Sequence, residues 1–110
     1  MKVRLTQEAS DDLEGIAEYL LERSADAAWR IVTELERCCF ELLGDHPEAG
    51  PRLSFAPNVR GFVKSGYRIC YQVGEDELMV IAFVHERRDI ERLLRVTSER
   101  LGIDLGSVDV

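Results

Sequence analysis

Residues 7–44 hold two helical apolar seams joined by almost nothing, and that short joint constrains the fold more than any other feature. In the first seam Leu13, Ile16, Ala17, Leu20 and Leu21 recur at helical spacing, with Glu14, Glu18 and Glu22 off the stripe. Thr6 offers an N-cap oxygen, and Glu8, Asp11 and Asp12 follow it at the positive end of the helix. The second seam is Ala28, Ile31, Leu35, Cys38 and Leu42, widened by a flanking line of Val32, Cys39 and Leu43. Ser24 caps this helix, Gly44 closes it, and His46-Pro47 ends the register. The expected helices are therefore 7–23 and 25–44, and so short a connection forces them into an antiparallel hairpin. The heptad-like seam is read as core rather than as an oligomer interface.

Around the hairpin the pattern changes to that of strands. Residues 2–5 read as one strand, and residues 45–58, with Pro47, Gly50, Pro51 and Pro57, read as a loop. Three further strands follow at 59–65, 67–73 and 77–85, with turns at Gly66 and at Gly74-Glu75-Asp76. Tyr67, Ile69, Tyr71 and Val73 alternate with Arg68, Cys70 and Gln72, which places the two sets on opposite faces. Leu78 to Val84 is apolar on both faces, as a central strand requires. From Asp89 a short helix carrying Ile90, Leu93 and Leu94 is expected to cover a sheet edge. Residues 102–110 show no periodicity and read as a tail.

The expected fold is α+β. It comprises an N-terminal strand, an antiparallel α-helical hairpin, a three-strand antiparallel meander completing one sheet, and a short C-terminal helix. Residues 1–95 form a single domain, and 96–110 are the helix end and tail. The hairpin buries its stripe on one sheet face, which leaves the other face and its loops for function.

Several classes are excluded. The longest apolar runs, such as Leu78 to Val84, are too short to span a bilayer, and the N-terminus lacks a signal-peptide core. Cys38 and Cys39 are neighbours, about 100° apart on a helix, and cannot easily bridge each other. With Cys70 isolated in a strand and no spaced Cys/His set, the three read as reduced, buried thiols of a cytoplasmic protein, with no metal or cofactor expected. The net charge of −7 is uneven: residues 1–50 hold 12 acids against 5 bases, while residues 51–95 hold 6 acids against 8 bases. The whole-molecule charge argues against non-specific nucleic-acid binding, yet leaves a local basic patch in the second half.

Several phrases in this order resemble the RelE/ParE toxin superfamily of type II toxin–antitoxin systems, with the ParE-like branch favoured. They are Val3 to Ala9 followed by Asp12-Leu13 and Ile16-Ala17, His46 to Gly50, Val59-Arg60, Gly66 to Tyr71, and Val84 to Asp89. The resemblance spans about residues 1–92 and rests on spacing more than on any one motif. It implies a toxin neutralised by a cognate antitoxin whose disordered tail folds over it, with operator DNA bound only through the antitoxin. ParE-like members inhibit DNA gyrase or another topoisomerase. RelE-like members are metal-independent endoribonucleases that cut mRNA on the ribosome, often with a C-terminal Tyr or His. A non-toxic antitoxin-bound relative is the third reading.

The residues to weigh are Arg60, Lys64, Arg68, Arg87 and Arg88 as a target-binding surface. With His85 in place of Arg60, the same set would serve a nuclease. The plainer reading is that strand arginines solubilise an exposed sheet face, and that His85 is a hydrogen-bonded residue at a strand end. Ile90-Glu91-Arg92-Leu93-Leu94 offers no Tyr or His after Asp89, and the acidic balance suits a ribosomal RNA site poorly. Both points favour the ParE-like branch. The acidic first helix reads as a solvated face or as a dock for a basic partner. Trp29 reads as core or as a contact anchor.

Overall fold

The computed structural model describes residues 1–107. The elements run β1 (Lys2–Leu5), α1 (Gln7–Leu21), α2 (Ala25–Arg37), a π-helical segment (Cys38–Leu43), β2 (Arg52–Leu53), β3 (Ala56–Lys64), β4 (Tyr67–Val73), β5 (Glu77–His85) and α3 (Ile90–Leu101). The strands form one sheet in the order β1-β5-β4-β3-β2, with β1 parallel to β5 and the other neighbours antiparallel. None of the described helices is long and apolar enough to cross a membrane.

The caps behave as the sequence implies. The Thr6 hydroxyl oxygen accepts from the Ala9 N–H at 3.1 Å, and the Ser24 hydroxyl oxygen accepts from the Ala27 N–H at 3.2 Å. The first helix stops at Leu21 because the N–H groups of Arg23 and Ser24 both turn back to the Leu20 carbonyl. The second helix departs further from expectation. Past Arg37 it widens into π geometry, which rotates the seam by about one residue. Leu43 is thereby fully buried, and Leu42, expected on the main seam, is exposed.

The span expected to be a loop, residues 45–58, holds β2 and the first three residues of β3. Pro57 is tolerated there because the two-residue β2 is all that lies outside β3. Between Lys64 and Tyr67 the chain reverses through Ser65 (φ 55°) and Gly66 (φ 86°). Two successive positive φ values match the twist of the flanking strands.

A bulge sets which side of β5 faces which core. Cys70 pairs with Ala82 but Tyr71 pairs with Val80, so Ile81 is the extra residue. Leu78, Val80 and Phe83 face the helical hairpin, where they pack with Leu35, Cys39, Leu43, Ile69 and Tyr71. Ile81, Ala82 and Val84 face the other way, against Ala56, Val59, Cys70 and Leu94.

That second cluster corrects one expectation. The face away from the hairpin is not left free, and α3 covers that face rather than an edge. Asp89 caps α3 by accepting from the Arg92 N–H, and Gly102 (φ 68°) ends it in the left-handed conformation. The chain then continues along the same face. Ile103 and Leu105 pack on the cluster, and the Asn58 N–H donates to the Leu105 carbonyl at 3.0 Å. Residues 103–106 are thus held on the sheet rather than free, and the rest of that expected tail, 108–110, lies outside the described residues.

Candidate functional site: the groove along the outer edge of β5

β1 is only four residues long and pairs with β5 from Glu77 to Val80. Among the described residues no strand pairs with the outer edge of β5 beyond that point. The start of α1 and the turn after β5 supply hydrogen bonds there instead. The Thr6 N–H donates to the Val80 carbonyl at 3.0 Å, and the Thr6 hydroxyl donates to the Ile81 carbonyl at 3.2 Å. The Phe83 N–H donates to an Asp12 carboxylate oxygen at 3.1 Å, and the Arg88 N–H to the His85 carbonyl at 2.9 Å. Burial pushes the Asp12 carboxyl up from the ordinary range; the Phe83 hydrogen bond opposes that shift, and the nearby Asp11 and Glu8 add to it.

A groove of about 960 Å³ follows this edge between α1 and α3. Ile16, Leu20, Ile31 and Phe83 give it an apolar wall. Asp11 and Asp12 line it on the α1 side, and Arg87 and Arg88 line it beyond the end of β5. Tyr67 and His85 meet edge-to-face on its floor with ring centroids 5.4 Å apart. The His85 Nδ1 accepts from the Arg87 N–H at 3.2 Å, which in the neutral ring leaves Nε2 as the N–H. Ser65, also in the groove, donates its hydroxyl to the Glu34 carboxylate.

The basic residues singled out in the sequence do not converge. His85, Arg87 and Arg88 share the groove. Arg60 is engaged elsewhere: it donates to the Gly50 carbonyl at 2.9 Å and the Glu48 carbonyl at 3.5 Å. Beside it the Tyr71 hydroxyl donates to the Pro47 carbonyl at 2.8 Å and accepts from the Gly50 N–H at 2.9 Å. Together these two side chains fasten the loop that follows the hairpin. Lys64 pairs across from Tyr67 on the hairpin side of the sheet and is exposed. Arg68 pairs across from Val63 and Val84 on the opposite face, with its stem against Gly61, where an added Cβ would lie 3.0 Å from Arg68 Cδ. Trp29 lies 77% exposed on α2, so it is not core. A second cavity, of about 500 Å³, lies at the far end of the sheet beside Arg52, Asn58, Arg60 and Gln72.

Asp12 and Tyr67 are among the groove residues that sequence reasoning did not single out as site residues. Asp12 belongs to an acidic run at the helix start, and nothing in that run announces a hydrogen bond to a residue 71 positions later.

The ParE toxin model of type II toxin–antitoxin systems, parDE, matches residues 3–90. The chain belongs to the ParE toxin family. Most of α3 and the segment after it lie beyond that match. Among solved structures, the chromosomal ParDE system of P. aeruginosa contains a chain that superposes with a TM-score of 0.65 at 20% identity, covering 77% of this chain and 95% of that one. A chain of the RelBE2 toxin–antitoxin complex of Mycobacterium tuberculosis superposes at 0.57 and 18% identity, covering 77% and 96%. At such identities the likeness is one of fold. A search of curated protein sequences gives no significant match.

Proposed function

We propose that this ParE-family toxin acts by binding DNA gyrase or a related topoisomerase, and that a cognate antitoxin silences it by seating a segment in the β5 groove. The observation that carries the first half is the dispersal of its basic residues. Cleavage by a 2′-OH needs a base, a cation at the phosphate and an acid for the leaving oxygen, all gathered around one scissile phosphate. Arg60 is tied to loop carbonyls and Arg68 stands on the opposite face from Lys64. A binding surface makes no such demand for convergence. The groove supports the second half, since it offers apolar walls with charge of each sign. With a net charge of −7, operator DNA is reached through the antitoxin rather than directly.

One observation favours the nuclease reading: His85, Arg87 and Arg88 do share the groove, beside Tyr67. Two assays on the purified chain separate the readings, gyrase supercoiling and mRNA cleavage on programmed ribosomes. The expected result is inhibited supercoiling with intact message, relieved by Arg87→Glu with Arg88→Glu. Codon-phased cuts that disappear in the same double variant would replace the topoisomerase assignment with catalysis. Saturating antitoxin should raise the melting temperature by linkage, and an unchanged value would sink the pairing.

A further inference from the structure

We infer that the cavity at the far end of the sheet is a phosphate site, in which Arg52 and Arg60 hold one phosphate dianion between two side-on guanidinium forks. This goes beyond the function proposed above, since the cavity shares no lining residue with the β5 groove.

The site begins with a conflict in the sheet. Arg52 of β2 and Arg60 of β3 are direct partners in an antiparallel pair, so their side chains leave the same face side by side. Like charges set opposite each other in this way are destabilising, and an anion between them removes the conflict. Among the described residues neither arginine is in an ion pair. After Arg52 the register slips, so that Leu53 faces Ala56 and residues 57–59 have no partner on β2. Pro57 and Asn58, in that slip, line the cavity of about 500 Å³ together with both arginines.

Each guanidinium is already held by one nitrogen. Arg52 donates from Nη1 to the Pro57 carbonyl at 3.1 Å, and Arg60 donates from Nη1 to the Gly50 and Glu48 carbonyls at 2.9 and 3.5 Å. What remains on each is the edge formed by Nε–H and Nη2–H, the fork that grips two oxygens of an oxyanion at once. Arg4 makes the contrast. It donates from Nε to the Glu77 carboxylate and from Nη2 to the Met79 sulfur, both at 3.1 Å, so its fork is filled from within the chain. Glu77 is thereby paired, and Asp104, the other acid of the lining, accepts the Gly106 N–H on its carboxylate at 2.9 Å. With Arg4 counted, three cations meet two acids, and the unfilled forks are those of Arg52 and Arg60. A carboxylate has oxygens for one fork only, whereas a phosphate dianion has charge and oxygens for both. The space left over admits the organic group of a small phosphate ester.

The test is an NMR titration that follows the arginine Nε–H signals at constant ionic strength and about pH 7.5, where a phosphate monoester is mostly the dianion. Its three arms are inorganic phosphate, ribose 5-phosphate and sodium chloride. The two phosphates should shift the Arg52 and Arg60 signals saturably, and chloride should not. Tighter binding of ribose 5-phosphate assigns the site to an ester, and tighter binding of inorganic phosphate assigns it to the free ion. Arg52→Lys keeps the charge without the fork and should weaken binding by about tenfold or more. Arg52 is exposed on a two-residue strand, so this variant should fold, and its melting curve checks that it does. Saturating phosphate should raise the melting temperature of the native chain and leave that of Arg52→Gln unmoved. Shifts that chloride reproduces would overturn the inference. So would binding that survives Arg52→Lys undiminished, or shifts confined to Arg87 and Arg88.

Discussion

On one side of the sheet the cover is the helical hairpin, inserted between β1 and β2 and tied down at both ends. Thr6 bonds its start to β5, and Tyr71 with Arg60 fastens the loop at its finish. On the other side the cover is α3 and the few residues after it, joined to the sheet through Asp89 and held further on by hydrogen bonds from Asn58 and Gln72 to the Leu105 and Asp104 carbonyls. The family match spans the first cover and ends as the second begins. A cover whose two ends run into strands of the sheet lifts only when the domain unfolds, whereas one whose far end is held by a few exposed hydrogen bonds can open locally at lower free energy. The two cores of one sheet should therefore differ in how readily they open.

Truncating each core tests this most severely. Leu35 and Leu94 are both fully buried, one on each side. Leu35→Ala should cost about 2–5 kcal/mol in a urea titration, the usual range for a buried leucine. Leu94→Ala should cost less than Leu35→Ala, because α3 opens before the rest. A larger loss at Leu94 would reverse the comparison.

The thiols give a finer probe, since Cys39 lies in the hairpin core and Cys70 in the α3 core. Burial pushes both up to about 12, so at neutral pH neither reacts until its core opens. Cys70 should be alkylated at least tenfold faster than Cys39, a difference of about 1.4 kcal/mol in opening free energy. Equal rates would mean that the two sides open as one unit. Asp89→Ala, which removes the cap of α3, should cost about 1 kcal/mol. It should quicken labelling at Cys70 and leave Cys39 unchanged; equal acceleration at both would couple the covers.

The smallest effect concerns the hairpin side alone. A carboxyl raised on folding holds its proton more tightly in the folded chain, so stability falls as pH rises from the ordinary value of 3.8 through the folded one. Asp12→Asn keeps an acceptor for Phe83 without a buried charge. It should be at least as stable as the native chain at pH 7, with the advantage shrinking as the pH falls toward 3.8. Parallel urea titrations at both ends of that range check the sign, and an advantage that grows on acidification would contradict it.

Legibility followed the same division. Tyr67–Val73 and Glu77–His85 are found at the bounds expected from the sequence, because alternation and turn residues mark them locally. The hairpin is legible through its seams and its caps at Thr6 and Ser24. The π segment is not, since one residue of extra width leaves no trace in composition. β2 and the start of β3 went unread because Pro51 and Pro57 punctuate them. Of the site, His85, Arg87 and Arg88 were legible as chemistry on a strand end. The separation of Arg60 and Arg68 follows from strand parity, yet that Arg60 fastens a loop required knowing where Gly50 comes to rest.

By itself, then, the sequence determined the helical hairpin, the order of the elements, the ParE-like relationship and the placement of bases in its second half. Those are matters of period, capping and spacing, which act over a few residues. Only the tertiary structure decided that α3 closes the second face, that the bulge at Ile81 turns β5 toward two cores, and that Asp12 takes the Phe83 N–H. Each of these depends on which distant groups meet, and a backbone N–H left bare by a short β1 is satisfied by whatever acceptor the packed fold delivers to it.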